Sequence, residues 1–199
     1  MKHFLGVLLL AAPLAAQHIS LGVKGGVPVT EAFKTSGGPL FNYRSFRNPY
    51  TVGPSLEVRL PLRLSVSIDV LYKRLSYGAN SGPVELNVKA NQFEFPVMVK
   101  YRFKDGLWTP YVAAGPSFNK ITGVARTITN PGQFLSPDEF QHSSSGGFAF
   151  GGGMEFKPVV RITTEVRFTR RGTKNFFSAA SGLLESNLNQ AEFLVGVHF

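Results

Sequence analysis

FEFPVMVKYRF, residues 93 to 103, alternates without interruption. Phe93, Phe95, Val97, Val99, Tyr101 and Phe103 share one face, and Glu94, Pro96, Met98, Lys100 and Arg102 share the other. A period of two belongs to a β-strand. RITTEVRFT sets Ile162, Thr164, Val166 and Phe168 against Arg161, Thr163, Glu165 and Arg167 in the same way. LSVSIDVLYK opposes Leu64, Val66, Ile68, Val70 and Tyr72 to Ser65, Ser67, Asp69, Leu71 and Lys73. ISLGVKGGV at 19, PSLEVRL at 54, WTPYVAAGPSF at 108, FAFGGGMEF at 148 and AEFLVGVHF at 191 bring the count of alternating runs to eight. Helical periodicity is nearly absent beyond residue 17, so the chain is all-β.

The connections alternate in length. LPLR (60 to 63), KDGL (104 to 107) and KPVV (157 to 160) are tight and carry Pro or Asp-Gly, as hairpin turns require. The others, around residues 34 to 49, 79 to 90, 124 to 143 and 175 to 187, are each long enough to form substantial loops. Short turns therefore gather at one end of the sheet and long loops at the other.

At 199 residues the chain suits one domain. Its start, MKHFLGVLLLAAPLAAQ, has a basic opening, an apolar run and small residues, the pattern of a secretory signal peptide. Residues 1 to 16 are expected to be removed, leaving 17 to 199 as the domain. The apolar run falls short of the roughly 20 residues that span a bilayer as a helix, and no later stretch is long and uncharged enough to do so. There is no cysteine, hence no disulfide framework and no lipidation cysteine. A net charge of +9 would suit nucleic acid, but an exported chain meets anionic lipid and lipopolysaccharide instead.

Which face is inside follows from three features. Aromatic residues collect in two belts: Tyr50, Tyr72, Phe93, Phe118, Phe148 and Phe168 toward the long loops, and Tyr101, Phe103, Trp108, Phe156 and Phe199 toward the turns. The polar face mixes Ser, Thr and Gly with both signs of charge. Its charges nearly balance, Glu57, Asp69, Glu94, Glu155, Glu165 and Glu192 facing Lys24, Arg59, Lys73, Lys100, Arg102, Arg161 and Arg167. Turned toward lipid, each Lys or Arg near the midplane would cost roughly 2 to 4 kcal/mol, and several together would exceed the roughly 5 to 15 kcal/mol that holds a typical domain folded. The charges are therefore expected in the lumen as a paired network.

Proline removes a ladder hydrogen bond, so Pro96, in the middle of the clearest run, predicts a bulge or local break there. The last strand ends on Phe199 with Phe193, Val195 and Val197 on the same face, unusually apolar for a terminus. Since every backbone group in hydrocarbon needs an internal partner, that strand is expected to pair with the first, Ile19 to Val27.

Taken together, these features resemble the small outer-membrane β-barrels of the OmpA/OmpX-like and PorT-like groups. GVKGGV (22 to 27), TPYVAAGPSF (109 to 118) and GGGMEFKP (151 to 158) look like strand segments of that family. The resemblance implies an eight-stranded antiparallel up-and-down transmembrane β-barrel in the outer membrane of a Gram-negative cell. It also implies that Phe193, Val195, Val197 and Phe199 are read by the barrel-assembly machinery.

Eight strands leave an interior just wide enough for side chains to fill, which favours a structural or surface-interaction role over a general pore. A narrow water path past Gly22, Gly151 and Gly153 and a soluble, secreted lipocalin-like ligand-binding barrel are the alternatives. A lipid A-modifying enzyme would need a base, a nucleophile and an orienting carboxylate. His142, Ser144 and Glu155 are the available set, but Ser145 stands where that enzyme pattern has Asn, and no catalytic role is expected. Nor is a metal, cofactor or nucleic acid, and a monomer is expected. His198 reads as a lumen-facing partner of a carboxylate. The loops carry Phe41, Tyr43, Phe46, Tyr50, Phe134 and Phe140 for contact with an extracellular partner. Arg44, Arg47, Arg126, Arg170, Arg171 and Lys174 stand near the rim, where they would meet lipopolysaccharide phosphates.

Overall fold

A computed structural model of the chain describes residues 19–35, 42–46, 50–81, 84–129, 142–176 and 184–199. The expected signal peptide therefore lies outside the described residues, as do Phe41, Arg47, Phe134 and Phe140. The strands are β1 (Ile19–Pro28), β2 (Phe33–Thr35), β3 (Asn42–Phe46), β4 (Thr51–Arg59), β5 (Leu64–Asp69), β6 (Leu71–Ser81), β7 (Val84–Arg102), β8 (Trp108–Thr129), β9 (Ser144–Phe156), β10 (Arg161–Arg171), β11 (Leu184–Ser186) and β12 (Asn189–His198).

The main sheet runs β1-β12-β10-β9-β8-β7-β5-β4, and β4 returns to β1, so the ring closes. Its two seams at β1 extend from Gly22↔His198 to Pro28↔Glu192 on one side and from Ile19↔Val58 to Gly26↔Thr51 on the other. All pairings are antiparallel. β5 and β6 lie along a single stave that pairs with β7 on both sides of Val70. β3 continues the stave of β4 along β6. The eight alternating runs thus become eight staves of a closed barrel, and the chain end meets its beginning: Phe199 N–H donates to Leu21 O at 2.7 Å, and Ser20 Oγ donates to Phe199 O at 2.8 Å.

Three staves rise well beyond the rest. β7 has 19 residues and β8 has 22, about twice the 9 to 11 that cross a bilayer. Along β7, odd residues face outward throughout, but their chemistry changes at one level. Phe93, Phe95, Val97, Val99 and Tyr101 are followed, toward the loops, by Asn91, Lys89, Asn87 and Glu85. The inward face inverts at the same height, from Arg102, Lys100, Glu94 and Gln92 to Ala90, Val88 and Leu86. β6 inverts between Tyr72 and Arg74, and β8 between Phe118 and Lys120. Below this level the barrel is apolar outside and charged inside; above it, polar outside and apolar inside, like a water-soluble protein. The upper core gathers Tyr43, Leu75, Tyr77, Leu86, Val88 and Ile121, with Phe33 and Phe176 edge-on to Tyr77 and to each other. Ring contacts mark both belts on the outer face: Tyr50–Tyr72–Phe93 near the inversion, and Tyr101–Phe103 and Trp108–Phe156 near the turns.

Several expectations need correction. The connection expected at 79 to 90 is almost entirely strand, with β6 and β7 paired as far as Ser81↔Val84. β8 likewise runs to Thr129 through part of the connection expected at 124 to 143. β2, β3 and β11 add strand within the other two, where Lys174 pairs with Glu185 and holds its half-buried carboxyl below the usual range. No bulge forms at Pro96. β7 keeps one register across it, and the fault appears on the neighbouring stave, where Asp69 and Val70 leave the β7 ladder and Val70 N–H turns to Pro54 O at 3.0 Å. The bulge lies instead where Gly123 and Val124 oppose Ala90. Gly123 has φ +61°, a conformation glycine adopts without penalty.

The first tight turn is strained by its own sequence. Leu62 and Arg63 both have positive φ, 61° and 63°, and Leu64 N–H donates to Pro61 O at 3.3 Å, as in a type I′ turn that prefers Asn-Gly. Arg63 is held by bonds from its guanidinium to Asp105 and to Phe103 O, each 3.0 Å. Leu62 is 83% exposed and has no such anchor. Leu62→Asn is therefore expected to stabilise the barrel by about 0.5 to 1 kcal/mol, measured by urea unfolding in lipid vesicles; a loss of stability would mean that Leu62 is held by lipid.

The candidate functional site: a layered ion network in the lumen

The inward positions of the lower barrel carry ion pairs stacked in three levels. Nearest the turns, Glu57 on β4 accepts from Lys100 at 2.9 Å and from Arg161 at 2.9 Å, and it also pairs with Arg102. Glu155 on β9 accepts from Arg102 Nε at 3.1 Å on both oxygens and has Lys100 at 3.5 Å, Lys157 at 3.2 Å and Arg59 at 4.0 Å. In the middle, Asp69 on β5 pairs with Lys24 on β1 and Arg167 on β10, both at 2.9 Å, and accepts from Ser55 Oγ at 2.6 Å. Glu165 joins through Arg167 Nε at 2.6 Å and Tyr111 OH at 3.2 Å. Lys100 Nζ stands 4.3 Å above the Tyr111 ring and links the two levels. Nearest the loops, Glu94 pairs with Lys73, lies 2.9 Å from Arg171 and accepts from Ser117 Oγ at 2.7 Å. Glu192 receives Lys73 at 2.6 Å and Thr51 at 3.2 Å.

Most pairs cross between staves, the exceptions being Glu165 with Arg167 on β10 and Glu155 with the adjacent Lys157, so the network fastens the barrel wall from within. A buried charge without a partner is costly, whereas a paired and hydrogen-bonded one is tolerated. The middle and loop levels each oppose two carboxylates to two cations. The turn level opposes Glu57 and Glu155 to Arg59, Lys100, Arg102 and Arg161.

Of the thirteen charges expected in the lumen, twelve are buried there, and Arg59 is half-exposed at the turn-end mouth. Phe193, Val195, Val197 and Phe199 line the outer face of β12, all exposed. Arg44 and Arg170 are exposed toward the loops, Lys174 is tied to Glu185, and the side chain of Arg126 lies outside the described residues. Arg171 contradicts its expected role as a lipopolysaccharide contact. Its position on β10 points it inward, where it is 3% exposed beside Glu94. Alternation with Arg161, Thr163, Glu165, Arg167 and Thr169 carried that information in the sequence. Tyr43, expected at the loop surface, is buried in the upper core. His198 does face the lumen, but neither ring nitrogen has a hydrogen-bond partner among the described residues, so it is not the carboxylate partner expected. The alternative of a narrow water path past Gly22, Gly151 and Gly153 meets close packing at Gly22, where a Cβ would run into Val197 O and stand 2.7 Å from His198 Nδ1. His142, Ser144 and Glu155 are not brought together: Ser144 and Glu155 occupy opposite ends of β9, roughly 36 Å apart at about 3.3 Å per residue. Ser145, facing inward, bonds Asn119 Oδ1 at 2.6 Å.

Removing Glu57 from the turn level leaves the buried Arg161 without its carboxylate and leaves Lys100 and Arg102 to share Glu155 alone. Glu57→Gln is expected to destabilise the barrel by about 3 to 5 kcal/mol in urea titrations of the vesicle-embedded protein. Ser65→Ala, a buried hydroxyl on the same inner face with no hydrogen-bond partner among the described residues, is expected to change stability by no more than about 0.5 kcal/mol. Equal effects would mean that the network does not hold the wall.

The comparisons with known proteins agree with this architecture. OprG of Pseudomonas aeruginosa superposes with a TM-score of 0.63 at 12% identity, over 91% of this chain and 94% of that one. Neisserial surface protein A (TM-score 0.48, 16% identity, 91% and 96% coverage) and Ail of Yersinia pestis (0.46, 14%, 92% and 97%) are more distant in shape. At such identities the likeness concerns the fold alone, and the OprG superposition carries it. No curated protein matches in sequence. A family model described as the outer membrane protein beta-barrel domain matches residues 15–178. With that match spanning most of the closed, inwardly charged ring, the chain belongs to the outer membrane protein β-barrel domain family.

Proposed function

We propose that this outer-membrane barrel is a non-conducting scaffold that presents a rigid surface to the exterior, and that it has no enzymatic role. The observation that carries the reading is the three-level ion network, which fills the lumen from Glu57 to Glu94, capped by the apolar core around Tyr77 and Phe176. Cavities in the loop half of the lumen, beside Lys73 and Gln92 and beside Asn119 and Arg171, measure about 20 and 10 Å³, each near the size of one water. An ion crossing such a lumen would have to break several buried pairs at once. Of the catalytic set weighed in the sequence, Ser144 and Glu155 lie at opposite ends of β9, which speaks against that set acting together.

The surface role rests on the polarity inversion. Above it, β6, β7 and β8 enclose their own apolar core and expose polar side chains, a rigid platform on which loops can act. In this reading Arg44 and Arg170 meet lipopolysaccharide phosphates, and the loops meet an extracellular partner. The protein is exported by its first sixteen residues, assembled through the Phe193–Phe199 face and works as a monomer.

Planar-bilayer recording tests the scaffold reading. The purified barrel is expected to give no sustained conductance steps in molar salt. Reproducible steps that disappear when the protein is omitted would make it a pore and overturn the proposal.

A further inference from the structure

The surplus of cations in the lumen is confined to one level. The middle and loop levels are balanced, while the turn level, on the periplasmic side in this family's usual orientation, carries four lumen cations against two carboxylates. Of the charged groups outside the lumen at this end, Lys157 lies 3.2 Å from Glu155 and Arg63 is paired with Asp105. Both carboxylates are already saturated: Glu57 by Lys100, Arg102 and Arg161, and Glu155 by Arg102, Lys100 and Lys157.

A cavity of about 330 Å³ opens at this mouth, lined by Arg59, Arg161, His198 and Ser20 with Ile19, Val160 and Phe199 beside them. Three of its polar side chains retain unused groups. Arg161, 7% exposed, spends its terminal nitrogens on Glu57 and Ser20, each at 2.9 Å, while its Nε has no partner among the described residues. Arg59 Nε is likewise unpartnered. His198 is 1% exposed with both ring nitrogens free of any described partner. Buried donors of this kind are costly unless something accepts from them.

We propose that the periplasmic mouth of the barrel is a binding site for a phosphate-class oxyanion, held between Arg59 and Arg161 with His198 beneath it. Two guanidinium groups with unused donors match the several acceptor oxygens of a phosphate, and a surplus of two positive charges matches a dianion. The cavity is wide enough for the group and opens to the periplasmic side. Its apolar neighbours Ile19, Val160 and Phe199 suit either of two carriers: a soluble phosphate compound, or the headgroup of a phospholipid in the inner leaflet.

The test uses the full mature chain in a maltoside detergent free of phosphate, with the ring resonances of His198 followed by NMR and assigned through His198→Gln. Inorganic phosphate is titrated in one arm and a short-chain phosphatidylglycerol in the other. Saturable shifts of His198 are expected, weakened about tenfold or more by Arg59→Gln and unchanged by Lys104→Gln on the exposed neighbouring turn. A response to phosphate identifies the soluble carrier, and a response to the lipid alone identifies the headgroup; either supports the site. No shift in either arm overturns it, and so does equal weakening by Lys104→Gln, which would reduce the effect to diffuse surface charge.

Discussion

A bilayer offers no hydrogen-bonding partner to a backbone group, and this single constraint shapes the molecule. A strand edge left in hydrocarbon is not tolerated, so β12 must find β1 and the sheet must close. Closure gives every stave an inside and an outside, and the period of two then assigns each residue to one of them. The charges cannot face lipid at roughly 2 to 4 kcal/mol each; they go inward, where they must pair. The ion network is therefore a consequence of closure and also its fastening, since most of its pairs tie one stave to another. Lys24 on β1 with Asp69 on β5, and Arg161 on β10 with Glu57 on β4, are bonds across the lumen rather than along it.

The same rule explains where the membrane ends. Lipid demands an apolar exterior only over its own thickness, and beyond that water reverses the requirement. β6, β7 and β8 are long enough to feel both solvents, and their faces exchange character at Tyr72, Phe93 and Phe118, on β6 and β7 without any change in which residues point inward. Aromatic rings sit at that height, as rings do at a membrane boundary. The lumen is thus divided into a charged lower part, anchored by pairs, and an apolar upper part, anchored by Phe33, Tyr77 and Phe176.

Much of this is legible in the sequence because alternation reports directly on facing. The eight staves, the identity of the thirteen lumen charges, the two belts and the seam between the first and last strands all follow from period, charge cost and chain order. The misplaced connections have one cause. VELNVKA (84 to 90) alternates as regularly as FEFPVMV, but its apolar residues, Leu86, Val88 and Ala90, fall on the opposite phase to Phe93 and Phe95. An expectation that the apolar face is always the outer one turns such a segment into a loop. Arg171 reads as a rim residue for a related reason, its place beside Arg170 hiding the alternation that sends neighbours to opposite faces. The position of the bulge depended on the backbone of Gly123 rather than on proline, and the unbalanced mouth at Arg59, Arg161 and His198 depended on which levels the partners share. Neither is written in the local pattern.

The most direct test of the account is the solvent seen by the outer face of β7. The chain has no cysteine, so a single nitroxide can be attached at each odd position from Glu85 to Tyr101 in the vesicle-embedded protein. Its collisions with oxygen and with a water-soluble nickel chelate can then be compared. The account predicts oxygen-dominated labels at 93, 95, 97 and 99 and chelate-dominated labels at 85, 87 and 89, with the crossover near 91. Chelate-dominated labels along the whole strand would contradict it, since the apolar stripe would then face water.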